Sequence, residues 1–169
     1  HTAASSEQSN PAWLMWYFLT RRDGDGWNTG GYHWIINRDG KATRAYHDSV
    51  ITNGAKGING EAIHLNWVGG RDNFDATELQ MFTLGKLIKK YVQTYPNIQI
   101  LGHNQIANKP CPWFNVPDFC SKLMRKGWIK RYNVWGYGSG NLRDEWVGDT
   151  FYSDWTSDLF KETARKIKV

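Results

Sequence analysis

The strongest hydrophobic rhythm in the chain lies between Thr77 and Tyr95. Leu79, Phe82, Leu87, Tyr91 and Tyr95, with Leu84, Ile88 and Val92 beside them, recur at helical spacing and make one broad apolar face. Thr77 or Asp75 can cap this helix, and Pro96-Asn97 ends it. These apolar residues are read as core. A second helix is predicted from Pro11 to Arg22, with Asn10 as cap and proline in the first turn. The run Asp23-Gly-Asp-Gly26 stops it. A third is predicted from Pro117 to about Lys126.

Between the helices the pattern shortens to that of strands. Tyr32 to Arg38 and Ala42 to Tyr46 read as a hairpin joined by the two-residue turn Asp39-Gly40. Ala62 to Val68 reads as another strand, closed by Gly69-Gly70. Ile98 to Leu101 reads as a short strand leading straight into His103. Helices and strands alternate, which predicts an α/β fold with a mixed central β-sheet flanked by helices.

The chain has 169 residues, enough for one domain with a sizeable core. No run approaches the roughly 18 apolar residues of a membrane helix. The chain does not begin with Met, so a processed or truncated start is expected. Net charge is +5, and after residue 120 ten Lys/Arg stand against six Asp/Glu. A basic surface favours polyanions such as the anionic polymers of a bacterial envelope. There is no Lys/Arg block, so nucleic acid is not an expected partner. Beyond Gly127 the composition changes, and Trp128, Trp135, Trp146 and Trp155 are scattered among glycines, tyrosines and charges. Residues 127–169 are read as an aromatic, basic extension, either packed on the domain or binding the cell wall, with packing preferred.

Candidate chemistry gathers in Leu101-Gly-His-Asn-Gln-Ile-Ala-Asn-Lys-Pro-Cys-Pro112. Imidazole nitrogen and thiolate sulfur suit a borderline-soft ion such as zinc. His103 and Cys111 can meet at one ion, and His1 is the candidate third ligand. Three protein ligands with one open position describe a catalytic rather than a structural zinc. A disulfide between Cys111 and Cys120 is the competing use of the same thiol.

Four blocks, taken in order, resemble a known family. They are His1-Thr-Ala-Ala-Ser5, Gly31-Tyr-His-Trp-Ile-Ile-Asn-Arg-Asp-Gly40, Ala55-Lys-Gly-Ile-Asn59 with Leu65-Asn-Trp-Val-Gly-Gly70, and Gly102-His103 followed by Cys111-Pro112. Together they resemble the zinc-dependent N-acetylmuramoyl-L-alanine amidases shared by phage endolysins and peptidoglycan recognition proteins, above all the small amidase lysozymes of coliphages. The likeness covers roughly residues 1–126, taken as a zinc amidase domain, and implies a first strand upstream of residue 1. It implies His1, His103 and Cys111 as ligands of Zn2+, with Tyr32 and Lys109 as catalytic residues. It also implies cleavage of the amide between the lactyl group of muramic acid and L-alanine, with bacterial peptidoglycan as partner and the cell wall as place of action. Lysis or remodelling of that wall is the implied outcome.

The chain departs from the family's pattern in two places. Asn53-Gly54 stands where many relatives carry a histidine, and Asn104-Gln105 stands where related phage enzymes carry His-Glu. Alternation along the strand turns His33 away from Tyr32, so it is read as structural, and His47 and His64 are not expected to be ligands. Taken singly, Lys109 is a solvated loop lysine and Tyr32 a strand aromatic at the edge of the core.

Three rival functions share these residues. A non-catalytic peptidoglycan receptor on the same scaffold commonly lacks the cysteine ligand, which is present here. A copper site on the amine and ring of His1 would need a β-sandwich. A regulator binding another protein through its N-terminal surface is the third.

Overall fold

The computed structural model describes residues 1–4, 10–20, 26–130 and 165. Its elements are α1 (Pro11–Thr20), β1 (Trp34–Ile36), β2 (Ala42–Arg44), a single 3₁₀ turn (Asn59–Glu61), β3 (Leu65–Trp67), α2 (Glu78–Thr94), α3 (His103–Ile106) and α4 (Val116–Arg125). The sheet order is β2-β1-β3. β1 runs antiparallel to β2 and parallel to β3, so the sheet is mixed as expected.

All three residues of β1 are buried, because both faces of the sheet are covered. Trp34 and Ile36 point into a core built with Trp67 from β3 and with Leu84, Leu87, Ile88, Phe119 and Leu123 from α2 and α4. Ile35 points the other way, into a smaller core with Val68 and with Leu14 and Phe18 of α1. Period-two alternation on one strand thus serves two cores. The helices sit on either side, giving three layers.

The N-terminus of α2 is fastened to the strand ends by polar groups. Thr77 caps it in a reciprocal pair with Gln80. The amide of the fully buried Gln80 donates to the carbonyls of Ile36 (3.0 Å) and Val68 (2.8 Å), while its oxygen accepts from Thr77 N–H (2.9 Å). One side chain therefore satisfies backbone groups from β1, from the end of β3 and from the helix cap. Further along, the Tyr91 hydroxyl accepts from Trp34 Nε1 (2.7 Å) and donates to Asp48 (2.8 Å).

Several boundaries differ from the sequence reading. The hairpin connection is five residues long, Asn37 to Lys41, and is closed by Asn37 N–H to Lys41 O and Gly40 N–H to Asn37 O. Gly40 is therefore the last residue of the tight turn, at φ +80°, where a side chain would be strained. Residues 98–101 do not form a strand. Gln99 alone makes a bridge, and the Ile98 N–H is already spent on Tyr95 O. His103 opens the one-turn helix α3 instead of ending a strand, because Gln105 Oε1 takes the Gly102 N–H (2.8 Å) and starts the turn there.

Both cysteines are free thiols. Cys120 lies in the larger core, where burial pushes its thiol up to about 12. Trp128 packs edge-on against Phe82 and Ile129 is buried, so the core continues through these two residues. Trp135, Trp146 and Trp155 lie outside the described residues. Among the described residues, no helix is long and apolar enough to cross a membrane.

Replacing Gln80 with alanine removes the side-chain partner of Val68 O and of the Thr77 N–H, while Ile36 O keeps the N–H of Val68. The expected loss is about 2–3 kcal/mol of unfolding free energy in urea titration, well beyond the few tenths of a surface change.

Candidate metal centre and active-site cleft

Residues 1–3 lie alongside β3. Trp67 N–H donates to His1 O (3.1 Å), Ala3 N–H donates to Trp67 O (3.0 Å), and the backbone nitrogen of His1 donates to Leu65 O (2.7 Å). This parallel pairing sets His1 at the end of the sheet. The loop after α3 returns Cys111 to the same place, held by Asn104 N–H to Cys111 O. Asn104 and Gln105, the neutral residues following His103, are buried and shape that loop. Trp113 Nε1 then ties the loop to Gly70 O (2.9 Å).

These three segments bring His1, His103 and Cys111 together, each half-buried, with one ligand atom from each lying within 4.8 Å of the others. The rings of His1 and His103 are 4.8 Å apart, edge to face. Nδ1 of His1 faces Cys111 Sγ at 3.7 Å, and Thr2 N–H points at the same sulfur from 3.2 Å. Two imidazoles and one thiol, with no carboxylate in the group, form a donor set suited to zinc. Burial pushes His103 down to about 4, and the charge of Lys109 adds to it. The ring is therefore neutral at pH 7, as a ligand must be.

The predicted catalytic pair borders the same space. Tyr32 sits just before β1, its ring 5.4 Å from His1 and its hydroxyl 3.4 Å from Thr2 O. Lys109 is exposed on the loop between His103 and Cys111. Tyr32, His103, Lys109 and Cys111 all line one open cleft of about 970 Å³, whose far wall is Trp13 and Tyr17 of α1. All five residues singled out from the sequence therefore meet at one place.

The family profile described as N-acetylmuramoyl-L-alanine amidase matches residues 1–114. The chain belongs to this amidase family. The endolysins of Escherichia phage T7 and Enterobacteria phage T3 are each 34% identical to it over 102 residues, which is 57% of this chain and 68% of theirs. Among solved structures, the Ph2119 endolysin from the Thermus scotoductus MAT2119 bacteriophage superposes with a TM-score of 0.64 at 20% identity. The match covers 72% of this chain and 80% of that one. The LysCS endolysin amidase from Clostridium intestinale URNW gives 0.61 at 23% identity, over 70% and 77%. At those identities the structural likeness speaks for the fold alone. As an amidase of this family, the chain is a hydrolase of peptidoglycan, cutting between N-acetylmuramic acid and L-alanine.

The amidase cleft has two further histidines behind it. His33 is fully buried and structural in its contacts. Its Nδ1 accepts the backbone N–H of His64 (2.9 Å) and its Nε2 donates to Val50 O (2.9 Å). His64 is not among the grouped donors, yet its Nδ1 is 3.0 Å from Nε2 of His1. Burial, then the fields of His33 and other neighbouring charges, pushes His64 down to about 3. Nothing in the spacing of residues 1 and 64 could have paired them. The contact arises only because residues 1–3 lie along β3.

His33 makes stability depend on pH. Burial lowers its pKa from the ordinary 6.5, opposed by Val50 O and Asp48 and helped by Arg44. The unfolded chain then takes up a proton that the folded ring refuses. The contribution is full above about pH 6.5 and is lost as pH falls below it. Urea midpoints should fall between pH 7.5 and 5.5, and fall less in His33→Asn. An NMR titration placing His33 at or above 6.5 would contradict this.

Proposed function

We propose that the amidase works with one zinc ion held by His1, His103 and Cys111, and that Tyr32 and Lys109 act directly on the scissile amide. The observation that carries this reading is that a two-imidazole, one-thiol donor set, with His103 and Cys111 in the cleft wall and His1 against Tyr32, adjoins the cleft that Tyr32 and Lys109 line. When bound, zinc supplies Lewis acidity, polarising the carbonyl and acidifying water.

The chain's own residues supply the rest. The muramyl-peptide lies along the cleft with its lactyl carbonyl at the donor set. Water oxygen bonds to the carbonyl carbon, negative charge grows on the carbonyl oxygen, the C–N bond breaks, and the alanine nitrogen leaves with a proton. Lys109 carries a fixed positive charge at the cleft edge, suited to that growing negative charge. The Tyr32 hydroxyl can donate to the same oxygen or pass a proton towards the leaving nitrogen. No Asp or Glu lines this cleft among the described residues, so a carboxylate base is not part of the scheme.

The phage relatives are named endolysins. By that likeness we place this amidase among enzymes that open the bacterial wall. The catalytic unit is taken to run a few residues past Lys126, since Ile129 belongs to its core. Residues beyond it form the extension.

Cys111→Ser should lose most of the zinc and the activity while keeping its circular dichroism. Full zinc occupancy in that variant, measured by metal analysis, would end the proposal. Tyr32→Phe and Lys109→Ala should each keep zinc and lower kcat on a soluble muramyl-peptide by about 10²–10³. Unchanged rates in both would reduce these residues to positioning the substrate.

A further inference from the structure

His64 lies one residue before β3 and is only 3% exposed. Its backbone N–H is fixed by His33 Nδ1, and its own Nδ1 stands 3.0 Å from Nε2 of His1. The opposite nitrogen of His1, Nδ1, faces Cys111 Sγ. The His1 ring therefore turns one nitrogen to the donor set and the other to His64.

A ligating nitrogen offers its lone pair, so in a neutral imidazole the proton sits on the other nitrogen. With Nδ1 of His1 towards the cluster, Nε2 carries the hydrogen, and His64 Nδ1 is placed to accept it. His64 must then keep its own proton on Nε2. That atom is buried and has no hydrogen-bond partner among the described residues. A buried N–H without an acceptor destabilises a fold, so stability alone favours an apolar side chain here. The contact that accounts for a histidine is the one to His1.

Room for the ring is also built in. A Cβ on Gly54 would lie 2.4 Å from His64 Cγ and 2.7 Å from Gly31 O. Gly54 carries no side chain, and that leaves the space that His64 fills.

We infer that His64 is a positioning residue whose Nδ1 accepts the Nε2–H of His1, fixing the tautomer and ring orientation in which His1 offers Nδ1 to a metal ion. This rests on the reading of His1, His103 and Cys111 as zinc donors. Ligand-orienting contacts of this kind are worth about 10–100-fold in metal affinity.

The test measures zinc dissociation constants by chelator competition on the full chain, with Cys111→Ser as control. His64→Phe keeps a ring but has no acceptor, and should weaken zinc binding about 10–100-fold while the metal-free melting temperature stays level. His64→Asn places an oxygen near the Nδ1 position and should recover most of the affinity. Nitrogen-15 shifts of the metal-free wild type should show His1 protonated at Nε2, a reading that stands even if His64→Phe does not fold. Wild-type affinity in His64→Phe, equal losses in both variants, or a His1 proton on Nδ1 would overturn the inference. A wild type that binds no zinc, or a Cys111→Ser that binds it fully, would instead sink the donor-set reading beneath it.

Discussion

The site depends on the backbone pairing between residues 1–3 and Trp67. Trp67 is a core residue, 1% exposed, on the face of the sheet that packs on α2 and α4. Its N–H and carbonyl hold His1 and Ala3, so the register of His1 is inherited from the packing of the largest side chain in β3. The loop from His103 to Cys111 is placed independently, by Gln105 at its start and by Trp113 on Gly70 beyond its end. The donor set lies where these two independently fixed segments meet.

The two faces of the sheet have separate tasks. The larger core, under α2 and α4, supplies the rigid platform, with Gln80 and Tyr91 satisfying polar groups that would otherwise be stranded in it. The smaller core holds α1 against the sheet, and α1 in turn gives Trp13 and Tyr17 to the wall of the cleft. The ring of Tyr32 touches both Phe18 of that core and His1 of the donor set. Packing and chemistry are thus joined through one aromatic side chain.

Much of this was legible in the sequence because it was written in local patterns. The face of α2 followed from helical spacing, Thr77 announced its start, and the four ordered blocks brought His1, Tyr32, His103, Lys109 and Cys111 to one place. What could not be read was decided by contacts between distant residues. His64 looked like a strand histidine, and only the laying of residues 1–3 along β3 gave it a partner. His103 looked like the end of a strand because Ile98 and Ile100 are apolar, but side-chain capping by Gln105 made it the start of a helix. The turn at Asp39-Gly40 was seen, yet its length was set by the Asn37–Lys41 closure.

The pairing of residues 1–3 has a consequence for how the protein fails. His1 and Cys111 are separated by 110 positions, and His1 is held to β3 by a few backbone hydrogen bonds. Segments held in this way can open locally at a lower free energy than global unfolding. A brief opening of the pairing between residues 1–3 and β3 would disassemble the donor set while the larger hydrophobic core stayed intact. Loss of competence and loss of fold are therefore separable events in this molecule, and amide exchange at Ala3 and Trp67 is the signal in which the first would be seen before the second.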